Sequence, residues 1–154
     1  PLREARDRDA MLAGIVDGSV DVIATDHAPH HYDEKNVEFD RAPFGIVGLE
    51  TAVSIALDRL VRPGLIRLPR LVELMSVNPA RVLNVPGGSL APGAVANITV
   101  LAPTLPVTID RAALRSKSKN TPYHGWSFTG GVAATFVAGR LVFANPASGW
   151  PGRG

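Results

Sequence analysis

The sequence predicts an α/β fold, a piece of a parallel barrel followed by a β-rich segment. Three observations carry this. An amphipathic stretch over residues 3–17 runs through Gly18 into a short β-branched run, Val20-Asp21-Val22-Ile23-Ala24-Thr25. Two more stretches with helical spacing follow, one over residues 48–61 and one from Pro69. Near residue 86 the texture changes to Pro-Gly turns between short strand candidates. Helix, tight turn and buried strand make half of an α/β unit. A lone parallel strand has no partner at either edge. The first half therefore reads as the end of a larger barrel whose other strands lie elsewhere.

Each element has its own warrant. In the first helix Ala5, Met11, Leu12, Ile15 and Val16 fall on one stripe, and Gly18 ends it. The run 20–25 is apolar enough for a strand covered on both faces. Residues 26–45 show no period and contain Pro29, Pro43 and Gly45. A loop this long in a compact domain is usually functional or disordered. The second helix carries Leu49, Val53, Ile55, Ala56, Leu57 and Leu60, with Glu50 suited to its first turn. The third carries Leu71, Leu74, Met75 and Val77 and breaks at Asn78-Pro79, before a short turn over residues 80–83. Strands are expected at 97–101, 107–109, 132–137 and 140–144, the last two forming a hairpin across Ala138-Gly139. Tyr123, Trp126 and Phe128 suit the core of this β-rich part. The expected organisation is 1–85 barrel portion, 86–145 β-sandwich portion and 146–154 disordered tail.

Composition narrows the function. The 154 residues are 45% hydrophobic and 19% charged, which is ordinary for a globular chain. The formal charge of +2 is small and the basic residues are scattered, so nucleic acid is not an expected partner. No apolar run approaches the roughly 20 residues that span a bilayer, so no membrane is expected either. Cysteine is absent, which removes thiolate metal sites and cysteine nucleophiles and fits a cytoplasmic setting.

The chemistry gathers in "VDVIATDHAPHHYDEKN", residues 20–36, which holds three of the four histidines. In parallel barrels, catalytic groups sit at the C-terminal ends of strands. Asp26 stands there. A carboxylate in that place can ligate a divalent metal or act as a general base. It can equally cap a turn, since Asp-His-Ala-Pro is a respectable turn sequence. His30, four residues on, can bind metal or an anionic group. His27 and His31 read as solvated loop residues. One acid and its neighbouring histidines fall short of the three or four convergent ligands that zinc requires. Arg115, Lys117 and Lys119 read as solvated surface, and spacing gives His124 no partner.

A resemblance adds to this reading. The string "DVIATDHAPHHYDEKN", followed by "APFGIVGLET", resembles the last barrel strand and loop of bacterial class I dihydroorotases in the amidohydrolase superfamily. "SVNPARVLNV" resembles the Asn-Pro-Ala motif of those enzymes. "GSLAPGAVANITVLAP" and "SKSKNTPYHGWSFTGGVAATFVAGRLVF" resemble the segments that return to and close their small β-domain. The likeness covers residues 1–145 and departs at Ala96-Asn97, where the family usually has Ala-Asp. It implies the C-terminal end of an amidohydrolase (β/α)8 barrel, its last strand and helices, plus part of a small β-sandwich.

The resemblance also implies a function. Dihydroorotases interconvert N-carbamoyl-L-aspartate and L-dihydroorotate in pyrimidine synthesis, with a binuclear zinc site. By matched position Asp26 is the metal-ligating aspartate that shuttles the proton. His30 contacts the substrate carboxylate, and Phe44 and Gly45 contact the pyrimidine ring through their backbone. The family's other metal ligands lie upstream of this aspartate. The twenty-five residues before Asp26 contain no histidine or lysine. The chain is therefore expected to be the C-terminal part of a longer enzyme and inactive alone. Its expected partners are the N-terminal part of the same enzyme, a homodimer partner or aspartate transcarbamoylase. Two alternatives stand beside this reading: a non-catalytic scaffold for aspartate transcarbamoylase, and a fragment of an allantoinase or hydantoinase.

Overall fold

A computed structural model describes residues 4–151. The first helix, α1 (Ala5–Asp17), ends at Gly18 in a left-handed conformation, φ 92°. Residue 3, where the sequence places its start, lies outside the described residues. The apolar stripe is only half used. Leu12 and Ile15 pack on the core, while Met11 and Val16 stay exposed.

The run 20–25 is not a strand in this chain. The reason is the one its sequence raised: among the described residues no neighbouring strand pairs with it. Helix side chains and two helix carbonyls hold its backbone instead, the Val20 N–H donating to the Gly14 carbonyl of α1 at 2.9 Å. Arg70 Nη2 donates to the Val20 carbonyl at 3.0 Å and Asn78 Nδ2 to the Asp21 carbonyl at 2.9 Å. The Ile23 N–H donates to the Leu74 carbonyl at 3.0 Å.

After the short helix α2 (Tyr32–Lys35) comes α3 (Ala52–Ala56), which widens into a π-helical stretch, Leu57–Val61. It begins four residues later than the periodicity suggests. Helix α4 (Leu68–Val72) likewise widens over Glu73–Val77 and continues as α5 (Asn78–Leu83). The expected break at Asn78-Pro79 does not occur. In the π register Asn78 N–H bonds back to Glu73 O. The next such bond would run from residue 79 to Leu74, and proline has no N–H to give. The Leu74 carbonyl is thereby left for Ile23.

Ala56, Leu57, Leu60, Ile66, Leu71 and Leu74 form the helical core. Beyond it lies a three-stranded antiparallel sheet in the order β1 (Ile98–Thr108), β2 (Ser127–Val137), β3 (Arg140–Ala144). The two strands expected at 97–101 and 107–109 are one strand with a break in register between Ala102 and Pro106. Proline at 103 and 106 cannot donate to a ladder, and the irregularity falls there. Strand β2 starts five residues before the expected 132. Of the aromatic trio, Phe128 is buried and Trp126 half-exposed, their rings 6.3 Å apart. The tail expected to be disordered carries a 3-10 turn at Pro146–Ser148, and Trp150 packs edge-on against Phe136. Residues 152–154 lie outside the described residues. No helix among the described residues is long and apolar enough to cross a membrane.

The helical layer and the sheet meet at one tight contact. A Cβ built on Gly130 would stand 2.6 Å from Leu57 Cβ, so only glycine lets the helix come this close. Asp58, beside Leu57, is 5% exposed, and its carboxylate accepts the Thr129 N–H at 2.9 Å. Arg62 and Arg59 flank it at 3.0 and 3.2 Å. The Thr129 bond, helped by the two guanidiniums and opposed by burial, holds this carboxyl below its ordinary 3.8. A lowered folded-state pKa stabilises the protein above the unfolded-state value, and the contribution is lost as pH falls through the folded value. We expect Asp58→Ala to cost about 2–3 kcal/mol in urea unfolding at neutral pH, because it leaves a buried amide unpaired. The variant should also lose less stability than the parent as pH falls below 3.8. An equal acid slope in both proteins would contradict the assignment.

Candidate active site

The segment after Asp26 is pinned across its base. His27 and Ile46 form an isolated parallel bridge, and the Ala28 N–H donates to the Ile46 carbonyl at 2.9 Å. The Gly48 N–H donates to His27 Nδ1 at 3.1 Å, and the Leu49 N–H reaches the same atom at 3.4 Å. His27 is thus a staple joining the two ends of the loop, not a solvated side chain. Its Nδ1 is the acceptor, so the ring proton sits on Nε2. His31 is exposed, and its ring accepts the Asp33 N–H at the start of α2.

Asp26 sits at the exposed head of this clamp with φ 44°. Non-glycine residues pay for left-handed backbone, and aspartate pays less than most. No hydrogen bond or ion pair occupies its carboxylate among the described residues. It is an acceptor held in an unusual backbone state and left free.

His30 lies across the loop. Its Nε2 is 3.0 Å from the Phe44 carbonyl and its Nδ1 is 3.3 Å from Glu34 Oε2. Gly45, with φ 106°, presses so close that an added Cβ would lie 2.5 Å from Ala28 Cβ and 3.7 Å from His30 Nε2. The backbone of 44–45 therefore runs directly beside His30. Phe44 itself points to solvent, 89% exposed. The structure thus brings His30, Phe44 and Gly45 together, with Asp26 at the start of the same clamp.

Three residues that hold this arrangement escaped the sequence reading. Lys35 Nζ donates to the Pro43 carbonyl and, at 3.1 Å, to the Gly45 carbonyl. Asn120 Nδ2 donates to the Gly45 carbonyl at 2.9 Å, and its own carbonyl accepts the Val47 N–H at 2.9 Å. Glu50 does not cap its helix. Its carboxylate accepts the Arg115 N–H at 2.8 Å and the Ser116 N–H at 3.0 Å, drawing in the loop that carries Asn120. Distances of 65 and 75 residues along the chain leave no local signal for such contacts. His124 gains a partner too, accepting the Arg111 N–H at 3.2 Å.

The metal question has a direct geometric answer. Among the described residues no group of three or more His, Cys, Asp or Glu converges on a point that could hold a metal ion. Asp26 offers one carboxylate, while His27 Nδ1 and His30 Nε2 already face backbone groups. This donor set does not fit a zinc ion by itself.

Comparison with known proteins assigns the class. Residues 2–142 match the amidohydrolase family, and the chain belongs to that family. Members of this family generally use a metal. Within it, the chain is 50% identical over 143 residues to a dihydroorotase of Geobacter metallireducens, covering 93% of this chain and 34% of that protein. A dihydroorotase of Pelobacter propionicus is 52% identical with the same coverage. Among solved structures, dihydropyrimidinase from Brevibacillus agri superposes with a TM-score of 0.86 at 26% identity, over 94% of this chain and 33% of that one. L-hydantoinase from Arthrobacter aurescens gives 0.85 at 29% identity, over 92% and 33%. The chain thus spans about a third of the length of the relatives it matches. The expected partial amidohydrolase barrel with a small β-portion stands, although the run 20–25 expected as its last strand forms none here.

Gly45 supplies the test of the clamp. Gly45→Ala adds a methyl against Ala28 and forces left-handed backbone on alanine. We expect amide hydrogen exchange at Ala28 and Val47 to speed up by about tenfold or more, with exchange in β2 unchanged. Unchanged protection at both amides would show that the close approach does not hold the loop.

Proposed function

We propose that this chain is the C-terminal third of a dihydroorotase, catalysing the reversible hydrolysis of L-dihydroorotate to N-carbamoyl-L-aspartate. The observation that carries this reading is the level of identity, 50–52% over 143 residues to the two dihydroorotases. Identity to the hydantoinases and dihydropyrimidinase quoted above is only 26–29%. Those enzymes remain the competing assignment because their backbones superpose so closely.

In this reading Asp26 is the proton carrier and would supply one ligand to a binuclear zinc centre. The remaining ligands come from polypeptide outside this chain. A bound divalent metal lowers the pKa of a coordinated water to about 7. Asp26 Oδ takes a proton as water attacks the ring carbonyl and gives it to the ring nitrogen as the C–N bond breaks. Its free carboxylate at the head of the clamp suits that work. His30 turns its Nε2 from the Phe44 carbonyl to a substrate carboxylate. The backbone at Phe44 and Gly45 borders the pyrimidine ring, and Lys35 and Asn120 fix that backbone from behind. Pyrimidine synthesis in the cytoplasm is the matching biological setting. The N-terminal part of the enzyme, a second subunit and aspartate transcarbamoylase are the candidate protein partners. A purely scaffolding role is less well supported, since it gives no reason for a strained, unpaired Asp26.

The test is reconstitution. The chain alone, supplied with zinc, should not hydrolyse dihydroorotate above background. Co-expressed with the N-terminal two-thirds of a dihydroorotase relative, it should restore turnover. In that assembly Asp26→Asn should lower kcat by about 10²–10⁴-fold with little change in KM. Turnover by the chain alone would remove the need for outside ligands. An assembly that opened hydantoin and ignored dihydroorotate would move the assignment to the hydantoinases.

A further inference from the structure

Residues 25–28 lie flush on residues 45–49, and two glycines make room for the approach. A Cβ on Gly48 would stand 3.1 Å from the Thr25 carbonyl oxygen and 3.2 Å from Thr25 Cβ, and one on Gly45 would stand 2.5 Å from Ala28 Cβ. Gly48 is not left-handed, so its missing side chain serves the approach alone. Between these two contacts stands Asp26, left-handed at φ 44°, its carboxylate without a hydrogen bond or ion pair among the described residues. We infer that His27 is the positioning residue of Asp26, and that it acts through Nδ1 by holding the Gly48 and Leu49 amides.

The stretch that receives the ring is itself fixed. Val47 is 3% exposed, and its N–H is bonded to the Asn120 carbonyl. The Gly48 carbonyl accepts the Ala52 N–H at 3.0 Å and the Thr51 hydroxyl at 3.3 Å, which ties the stretch to the start of α3. The opposing ribbon is held more sparsely. It forms no strand, and the nearest backbone bond upstream of Asp26 among the described residues is the one from Ile23. Just downstream, the Ala28 N–H makes one bond to the Ile46 carbonyl.

One bond is a pivot. The His27 ring makes a second attachment further along the receiving stretch, at Gly48 and Leu49, and two points fix a direction. A left-handed aspartate persists only where its surroundings over-determine the backbone. His27 follows Asp26 directly, so the peptide between them passes the constraint on with nothing in between. Main-chain N–H groups need an acceptor, and only the unprotonated ring nitrogen offers one. The product of this contact is the place of one carboxylate. If that carboxylate carries the proton, an error of roughly 1 Å in its place lowers the rate by about 10²-fold. That consequence rests on the dihydroorotase reading.

The experiment compares three variants. Asparagine puts its Oδ1 where Nδ1 stands, glutamine puts its Oε1 nearer to Nε2, and alanine puts nothing in either place. In the labelled 154-residue chain, His27→Ala and His27→Gln should speed hydrogen exchange at Gly48 and Leu49 by about tenfold or more, with exchange in β2 unchanged. The Asp26 Cα and Cβ shifts, which follow its backbone angles, should move in the same two variants. His27→Asn should keep both readouts near the parent. In the assembly reconstituted with the N-terminal two-thirds of a relative, His27→Ala and His27→Gln should lower kcat by about 10–100-fold with KM within about twofold. His27→Asn should recover most of that loss. Rescue by His27→Gln in place of His27→Asn would show the ring working through Nε2 and overturns the inference. So does a His27→Asn variant as impaired as His27→Ala. The two readings fail separately. Amide results as expected in a chain whose assembly is inactive would sink the hydrolase reading and leave His27 setting Asp26. An active assembly whose kcat ignores His27→Ala would do the reverse.

Discussion

Leu57 lies on the bare backbone of Gly130, and the carboxylate of Asp58 accepts the neighbouring Thr129 amide. This contact joins the helical layer to the sheet. It needs a glycine on the strand, a large apolar side chain on the helix and a buried acid beside it. The widening of α3 into a π-helical stretch begins at that leucine. A π turn carries one extra residue per turn and shifts which side chains share a face. Leu57, Asp58 and Leu60 are all buried as a result, one against the sheet, one bonded to it and one in the helical core. The sheet is then held at a fixed distance from α3, and the loop between β1 and β2 is carried with it.

That loop is how the sheet reaches the candidate site. Asn120 grips Gly45 and Val47, and Glu50 grips Arg115 and Ser116. Each tie runs between the helical half and the β-rich half. The clamp on His30, Phe44 and Gly45 therefore draws on both halves of the chain, although every residue first read as functional belongs to one of them. The division at residue 85 marks a change in texture. The hydrogen bonds cross it repeatedly.

Much of this was legible. Helical spacing, Gly18 as a stop and the Ala138-Gly139 hairpin depend on neighbours in sequence, and all three are present. Asp26 was singled out because an expected strand end and the residue type point the same way; in the structure it is exposed at the head of the clamp, without the strand. What escaped depended on distance or on missing neighbours. The run 20–25 has strand composition, yet a strand exists only through a partner, and the described residues supply none. Pro79 was read as a breaker because an α register was assumed; the π register tolerates it. Lys35, Asn120 and Glu50 carry no periodic signal, since their contacts are with backbone atoms of distant loops. His27 looked free for the same reason.

Pro79 has a wider meaning for the region around Asp26. By withholding an N–H it leaves a single carbonyl, that of Leu74, facing outward from the helix, and Ile23 takes it. Three residues later the backbone turns left-handed at Asp26. An imino acid remote in sequence thus works as a positional marker, adding a backbone anchor nearer to Asp26 than those that Gly14, Arg70 and Asn78 give at Val20 and Asp21. Replacing it would hand the marker back to the helix's own ladder and let the ribbon, with the carboxylate at its tip, drift out of alignment.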